Sequence, residues 1–153
     1  MLRNFCSFLC VVAILAAPRS AVCADITFPT DVLSIATSGG NVPFTVEVAT
    51  TDAQHARGLM YRTQMVKDHG MIFDLAVPQH VNMWMKSTLI PLDMLFIDHH
   101  GIITQIVKSA APQSTSIISS TSDAVVAVLE INGGAADYYH IAKGDRVIYP
   151  LFK

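Results

Sequence analysis

The sequence predicts a mainly β fold, an α+β chain with little helix: a compact, single-domain antiparallel sheet or barrel-like body with one short helix near residues 51–60. Three observations carry this prediction. Apolar runs of about four to eight residues recur between turn-forming Gly, Pro, Ser and Asn residues, the pattern of strands joined by tight connections. One run alternates apolar and polar residues with a period of two, as a strand with a single covered face must. Only one segment carries a helix start signal.

Taken in order, Asp31 to Thr37 and Val42 to Ala49 read as strands on either side of Ser38-Gly39-Gly40-Asn41, a hairpin turn. In the second strand Phe44, Val46 and Val48 share one face, and Thr45 and Glu47 the other. The helix begins at Thr50-Thr51, where Thr51 and Gln54 have the spacing of a capping box and Asp52 suits the first turn. Ala53, Ala56, Leu59 and Met60 fall on one helical face, while Gly58 weakens the last turn. Met71 to Leu75, Val81 to Met85, Met94 to Asp98 and Ile102 to Val107 follow as strands, with Asp98-His99-His100-Gly101 turning between the last two. Residues 112–122, rich in Ser and Thr, read as a loop. Val125 to Ile131 is almost wholly apolar and so is expected to be a central strand, covered on both faces. Gly133-Gly134 precedes a short helical turn over Ala135–His140, and Lys143-Gly144-Asp145 leads into a final strand from Arg146 to Tyr149.

The first residues read as a targeting segment. Arg3, an apolar run from Phe5 to Ala17 and the small-residue ending Val22-Cys23-Ala24 predict a secretory signal peptide over residues 1–24. A lipoprotein signal acylated at Cys23 is the rival, disfavoured by bulky Val22 just before it. Removing 24 of the 153 residues leaves 129, a single β-rich domain over 25–153. All three cysteines (Cys6, Cys10, Cys23) leave with that segment, so the mature domain has no disulfide, thiol nucleophile or thiolate metal site. Arg3 and Arg19 leave too, and 8 basic against 12 acidic residues gives a net charge of −4. That balance argues against nucleic acid as partner, and no later apolar run is long enough to span a bilayer. A periplasmic or secreted location follows, with a small ligand or another periplasmic protein as the expected partner.

Charge is scarce, at 14% of residues against roughly a quarter in an ordinary globular domain, so each charge set in apolar sequence needs a partner or a task. Lys86, Thr88 and Asp93 lie in the run from Trp84 to Asp98. A Lys86–Asp93 pair formed by the turn at Pro91 would either orient a ligand, with Arg57 and Arg62 adding bidentate donors, or be structural, with Thr88 satisfying backbone groups. Glu130, on an apolar strand face with Val126 and Val128, is expected to be paired inside or to emerge at a strand end. Glu47, on the Thr45 face, is expected to be solvated; were the two glutamates to face each other across a cleft, acid–base chemistry would become conceivable. His80, Met83 and Met85 form an alternative, a soft site for Cu(I), with His99-His100 as a further imidazole pair. The ordinary alternatives are methionines filling a core and solvated turn histidines. No Gly-x-Ser-x-Gly, phosphate-cradling loop or cysteine nucleophile occurs, so a hydrolase using Glu or Asp stands behind a binding or accessory module. No cofactor is indicated.

Several separated segments resemble one family: Val46-Glu47-Val48-Ala49, Arg57-Gly58-Leu59-Met60-Tyr61-Arg62, Gly70-Met71-Ile72-Phe73, Trp84-Met85-Lys86-Ser87-Thr88-Leu89-Ile90-Pro91-Leu92-Asp93, Val128-Leu129-Glu130 and Gly144-Asp145. From about Val42 to the C-terminus the chain resembles domain of unknown function 192. One departure is Ser87, where that family commonly has asparagine. The resemblance implies a compact, mainly β domain with little helix, often exported, and it implies no reaction.

Overall fold

A computed structural model describes residues 25–152. The expected signal peptide and its three cysteines lie outside the described residues.

The chain opens with an antiparallel hairpin, β1 (Thr30–Thr37) and β2 (Gly40–Ala49), turning through Ser38-Gly39. Helix α1 (Asp52–Arg57) begins with the expected capping box: Thr51 Oγ1 accepts from the Gln54 amide at 3.3 Å, and Gln54 Oε1 accepts from the Thr51 amide at 3.1 Å. The helix then returns the chain to β3 (His69–Gln79), which pairs parallel to β2. Next come a two-residue strand β4 (Asn82–Met83), the hairpin β5 (Leu92–Asp98) and β6 (Ile103–Ala110), and a second two-residue strand β7 (Ile118–Ser119). The chain ends with β8 (Val125–Asn132), a four-residue helix α2 (Ala135–Tyr138) and β9 (Arg146–Ile148).

Seven strands form one curled sheet in the order β6-β5-β8-β3-β2-β1-β9, antiparallel except at β2–β3. Its two ends approach each other: the Val147 amide donates to the Gly101 carbonyl at 2.7 Å and the Ile103 amide to Asp145 at 2.9 Å, giving a half-barrel. Gly101 is required there, because its φ is 78° and a Cβ would meet the Val147 carbonyl at 2.5 Å.

Both faces of the sheet are covered, which explains the unbroken apolar run in β8. Leu129 and Ile131 pack on one face with Leu33, Phe44, Ile72 and Leu95. Val128 packs on the other with Met71, Phe73, Met94 and Phe96, under Leu59, Met85 and Ile90 from the connections. As expected, β8 is central, between β5 and β3.

Three local expectations are corrected. Ala53 and Ala56 are exposed and α1 buries none of its own residues; only Leu59, beyond the helix, reaches the core. Six residues are too few for a periodic face to find a sheet beneath it. The strand expected over Val81–Met85 shortens to Asn82–Met83, paired to β7 inside the segment expected to be loop. Val125, rather than Val126, joins the Val128 face, because the β5–β8 register shifts between Asp98 and Ile97.

Candidate functional site

The sharpest sequence candidate, a Lys86–Asp93 pair, does not form. Asp93 is fully buried and its oxygens are taken by backbone amides: Oδ1 accepts from Ser109 at 2.7 Å and Gly134 at 3.0 Å, and Oδ2 accepts from Ala136 at 2.8 Å. Ser109 is the left-handed residue (φ 48°) of the bulge opposite Asp93, where the β5–β6 register slips, and Gly134 and Ala136 begin α2. Asp93 therefore ties a bulge to a helix start, satisfying donors that neither element satisfies itself. Lys86 is exposed, with Nζ 6.0 Å from the Trp84 ring centroid. Ser87 beside it has φ 57°, a conformation that asparagine tolerates better than most residues.

The arginines also separate. Arg62 pairs with Glu47 at 2.5 Å in a second, polar cavity of about 350 Å³ with His69, so Glu47 is paired rather than solvated. Arg57 is exposed, its guanidinium 4.9 Å from the Tyr61 ring centroid. Neither meets Glu130. Glu47 and Glu130 lie in one lateral row of the sheet with Met71 between them and line different cavities, so no two-glutamate cleft exists.

Glu130 is instead the inner wall of a cavity of about 270 Å³. Only 4% exposed, it sits on the Val128 face between Met71 and Met94 of the neighbouring strands. Thr88, 5% exposed, lines the same inner end. Among the described residues neither the Glu130 carboxyl nor the Thr88 hydroxyl has a hydrogen-bond partner, and no fully enclosed side-chain polar atom is orphaned, so what access these groups keep is through the cavity. Burial with no counter-charge pushes the Glu130 carboxyl up to about 8.

The rest of the cavity follows from two local irregularities. At the end of β3 the register slips between Asp74 and Gln79, with Ala76 at φ 62°, and the bulge carries Leu75, Gln79 and His80 out to one side. Opposite it, Gly58 (φ 45°) turns the chain after α1 so closely over Phe73 that a Cβ would lie 3.3 Å from that ring. Leu59, Phe73 and Val81 make the buried wall; Ala56, Arg57, Asn82 and half-exposed Trp84 make the mouth.

Of the expected soft-metal set, His80 and Met83 line this cavity, whereas Met85 is buried in the core and does not. His99 and His100 stack on each other at the β5–β6 turn, away from it. His80 Nδ1 lies 3.1 Å from Asp123 and 3.4 Å from Ser120 Oγ. This is not a nucleophile triad: serine and aspartate share one ring nitrogen instead of holding opposite ones, and Ser120 already donates to the Ser122 carbonyl at 2.7 Å. Glu130 and Thr88 were legible as polar residues in apolar sequence; Leu59, Phe73, Gln79 and Asn82 were not, since only the bulge and the Gly58 turn bring them together.

Fold and site together define a small, mostly antiparallel half-barrel with a pocket over a buried, unpartnered carboxyl. The chain belongs to the domain of unknown function 192 family, whose model, described as an uncharacterized ACR, matches residues 34–149. It is similar to a Sinorhizobium meliloti protein provisionally described as a transcription regulator, at 41% identity and a TM-score of 0.78, over 81% of this chain and 96% of that one. It is also similar to a Novosphingobium aromaticivorans protein of unknown function, at 32% identity and a TM-score of 0.75, over 88% and 94% of the two chains. No curated protein matches the sequence.

Proposed function

We propose that this is an exported periplasmic domain that binds a small molecule in the pocket over Glu130, acting as a binding or accessory module rather than a catalyst. The observation that carries the reading is a carboxyl 4% exposed, without partner, at the inner end of a mainly apolar cavity. Leaving a buried acid uncompensated costs stability, and a protein that needed only a core there would place an apolar residue. At roughly 30 Å³ per water, the cavity has room for about nine water-sized particles, which suits a ligand smaller than most drugs.

Export rests on the N-terminal charge, apolar run and Ala24 junction. The net charge of −4 over residues 25–153 supports a partner other than nucleic acid, the provisional description of the Sinorhizobium protein notwithstanding. No helix among the described residues is long and apolar enough to cross a membrane.

Native mass spectrometry of the protein recovered from its host tests the reading, with Ala56→Trp as control. Ala56 is exposed at the pocket mouth, so tryptophan there blocks the entrance with little effect on the core. The wild type should carry a small-molecule adduct that Ala56→Trp lacks. An adduct retained by the blocked variant, or found on neither protein, would count against the pocket.

A further inference from the structure

We infer that the ligand of this pocket carries a primary ammonium group on a short apolar body, and that the ammonium is held by Glu130. The inference rests on the binding role proposed above and deepens it. What the inner pocket lacks is positive charge. The ionisable groups facing Glu130 across the cavity are His55 and Arg57 from α1 and His80 from the β3–β4 link; β4 and the Trp84–Thr88 segment add none to the lining, and flanking β3 and β5 present Met71 and Met94.

Each of the three is otherwise engaged. His55 Nε2 bonds the Ala49 carbonyl at 3.0 Å, His80 Nδ1 faces Asp123, and the Arg57 guanidinium lies on Tyr61, which is not part of the lining. Glu130 thus has two carboxyl oxygens and no protein donor. Thr88 adds a hydroxyl oxygen that can accept a further, weaker bond. An ammonium brings three donors and the missing charge, and it is compact enough to reach the inner end. Leu59, Phe73, Leu75, Met83 and Trp84 then enclose an alkyl or aryl body.

Binding moves one proton. In the empty pocket burial disfavours the charged form and keeps the proton on the carboxyl. When R–NH3⁺ enters, Glu130 gives its proton to solvent and the carboxylate pairs with the ammonium; the ligand keeps all of its own protons. A neutral acceptor such as an alcohol would leave the Glu130 proton in place.

The experiment titrates the mature protein with 2-phenylethylamine and hexylamine, and with the matched 2-phenylethanol and hexanol, by NMR and by calorimetry in two buffers of different ionisation enthalpy. At pH 8, where giving up the Glu130 proton costs little, the amines should bind about tenfold tighter than the alcohols, since a hydrogen bond to a charged partner exceeds a neutral one by roughly that factor. They should perturb Phe73 and Trp84, release close to one proton each at pH 7, and bind more tightly as pH rises from 6 to 8. Glu130→Gln, confirmed folded by its amide spectrum, should lose the amine preference and the proton release. Alcohols binding as well as amines without proton release would overturn the ammonium assignment while leaving a ligand pocket in place. Failure of every probe to perturb the pocket would also overturn it, and the native adduct would then decide the binding role separately.

Discussion

Replacing Glu130 with glutamine should change how stability depends on pH. The folded carboxyl holds its proton up to about 8, whereas the unfolded one releases it at 4.5. Below pH 4.5 both states are protonated and the group has no effect on the pH slope. Between 4.5 and 8 the folded state still holds a proton that the unfolded state has released, so stability falls as pH rises, by about 1.4 kcal/mol per unit. Above 8 the loss is complete. From pH 4.5 to pH 7 it amounts to about 3 kcal/mol, a large fraction of a small domain's net stability. Glutamine keeps the shape and hydrogen-bonding capacity but cannot ionise. Urea melts at half-unit steps from pH 4 to 8 would measure both proteins, and the difference between the two curves isolates Glu130. The variant should gain on the wild type by about 3 kcal/mol between pH 4.5 and 7, and by about 4 kcal/mol over the whole range from pH 4 to 8. Parallel curves would refute the reasoning, since they would mean Glu130 is already solvated or paired.

Three further substitutions test the surrounding structure. Asp93→Ala strands the amides of Ser109, Gly134 and Ala136, and should cost at least about 3 kcal/mol in a denaturant melt, with α2 losing its amide protection first. Lys86→Met removes an exposed charge from a residue that makes no ion pair among the described residues, and should move Tm by no more than about 3 °C in calorimetry. Val128→Asp sets a charge between Phe73 and Phe96 of the neighbouring strands, and should cost several kcal/mol or abolish the folded amide spectrum.

What could be read from the sequence was local. The Thr51–Gln54 capping box spans three residues, and the β8 run could hardly be anything but a doubly covered strand; both are present in the structure. Asp93 stands out in the sequence as a charge in an apolar run, but its partners are backbone amides 16, 41 and 43 residues away, and an amide leaves no signature in residue type. The proline bend suggested Lys86 as its partner because sequence shows neighbours along the chain, not across a sheet. Glu130 stands out in the sequence in the same way. What hid its isolation was that Arg62 pairs with Glu47, a choice set by the β2–β3–β8 register and visible only in three dimensions. The cavity owes its shape to the three-residue excess of the β3 bulge; Pro78, which cannot donate to a ladder, is the one sequence signal of that slip, and it does not show which way the bulge sends its side chains.

The central claim, that a buried and unpartnered carboxyl forms the inner end of this pocket, is tested most directly by titrating the Glu130 side-chain carbonyl ¹³C shift in the ligand-free mature protein. The account predicts a midpoint near 8, falling once an amine occupies the pocket. A midpoint near 4.5 in the empty protein, unmoved by amine, would contradict it.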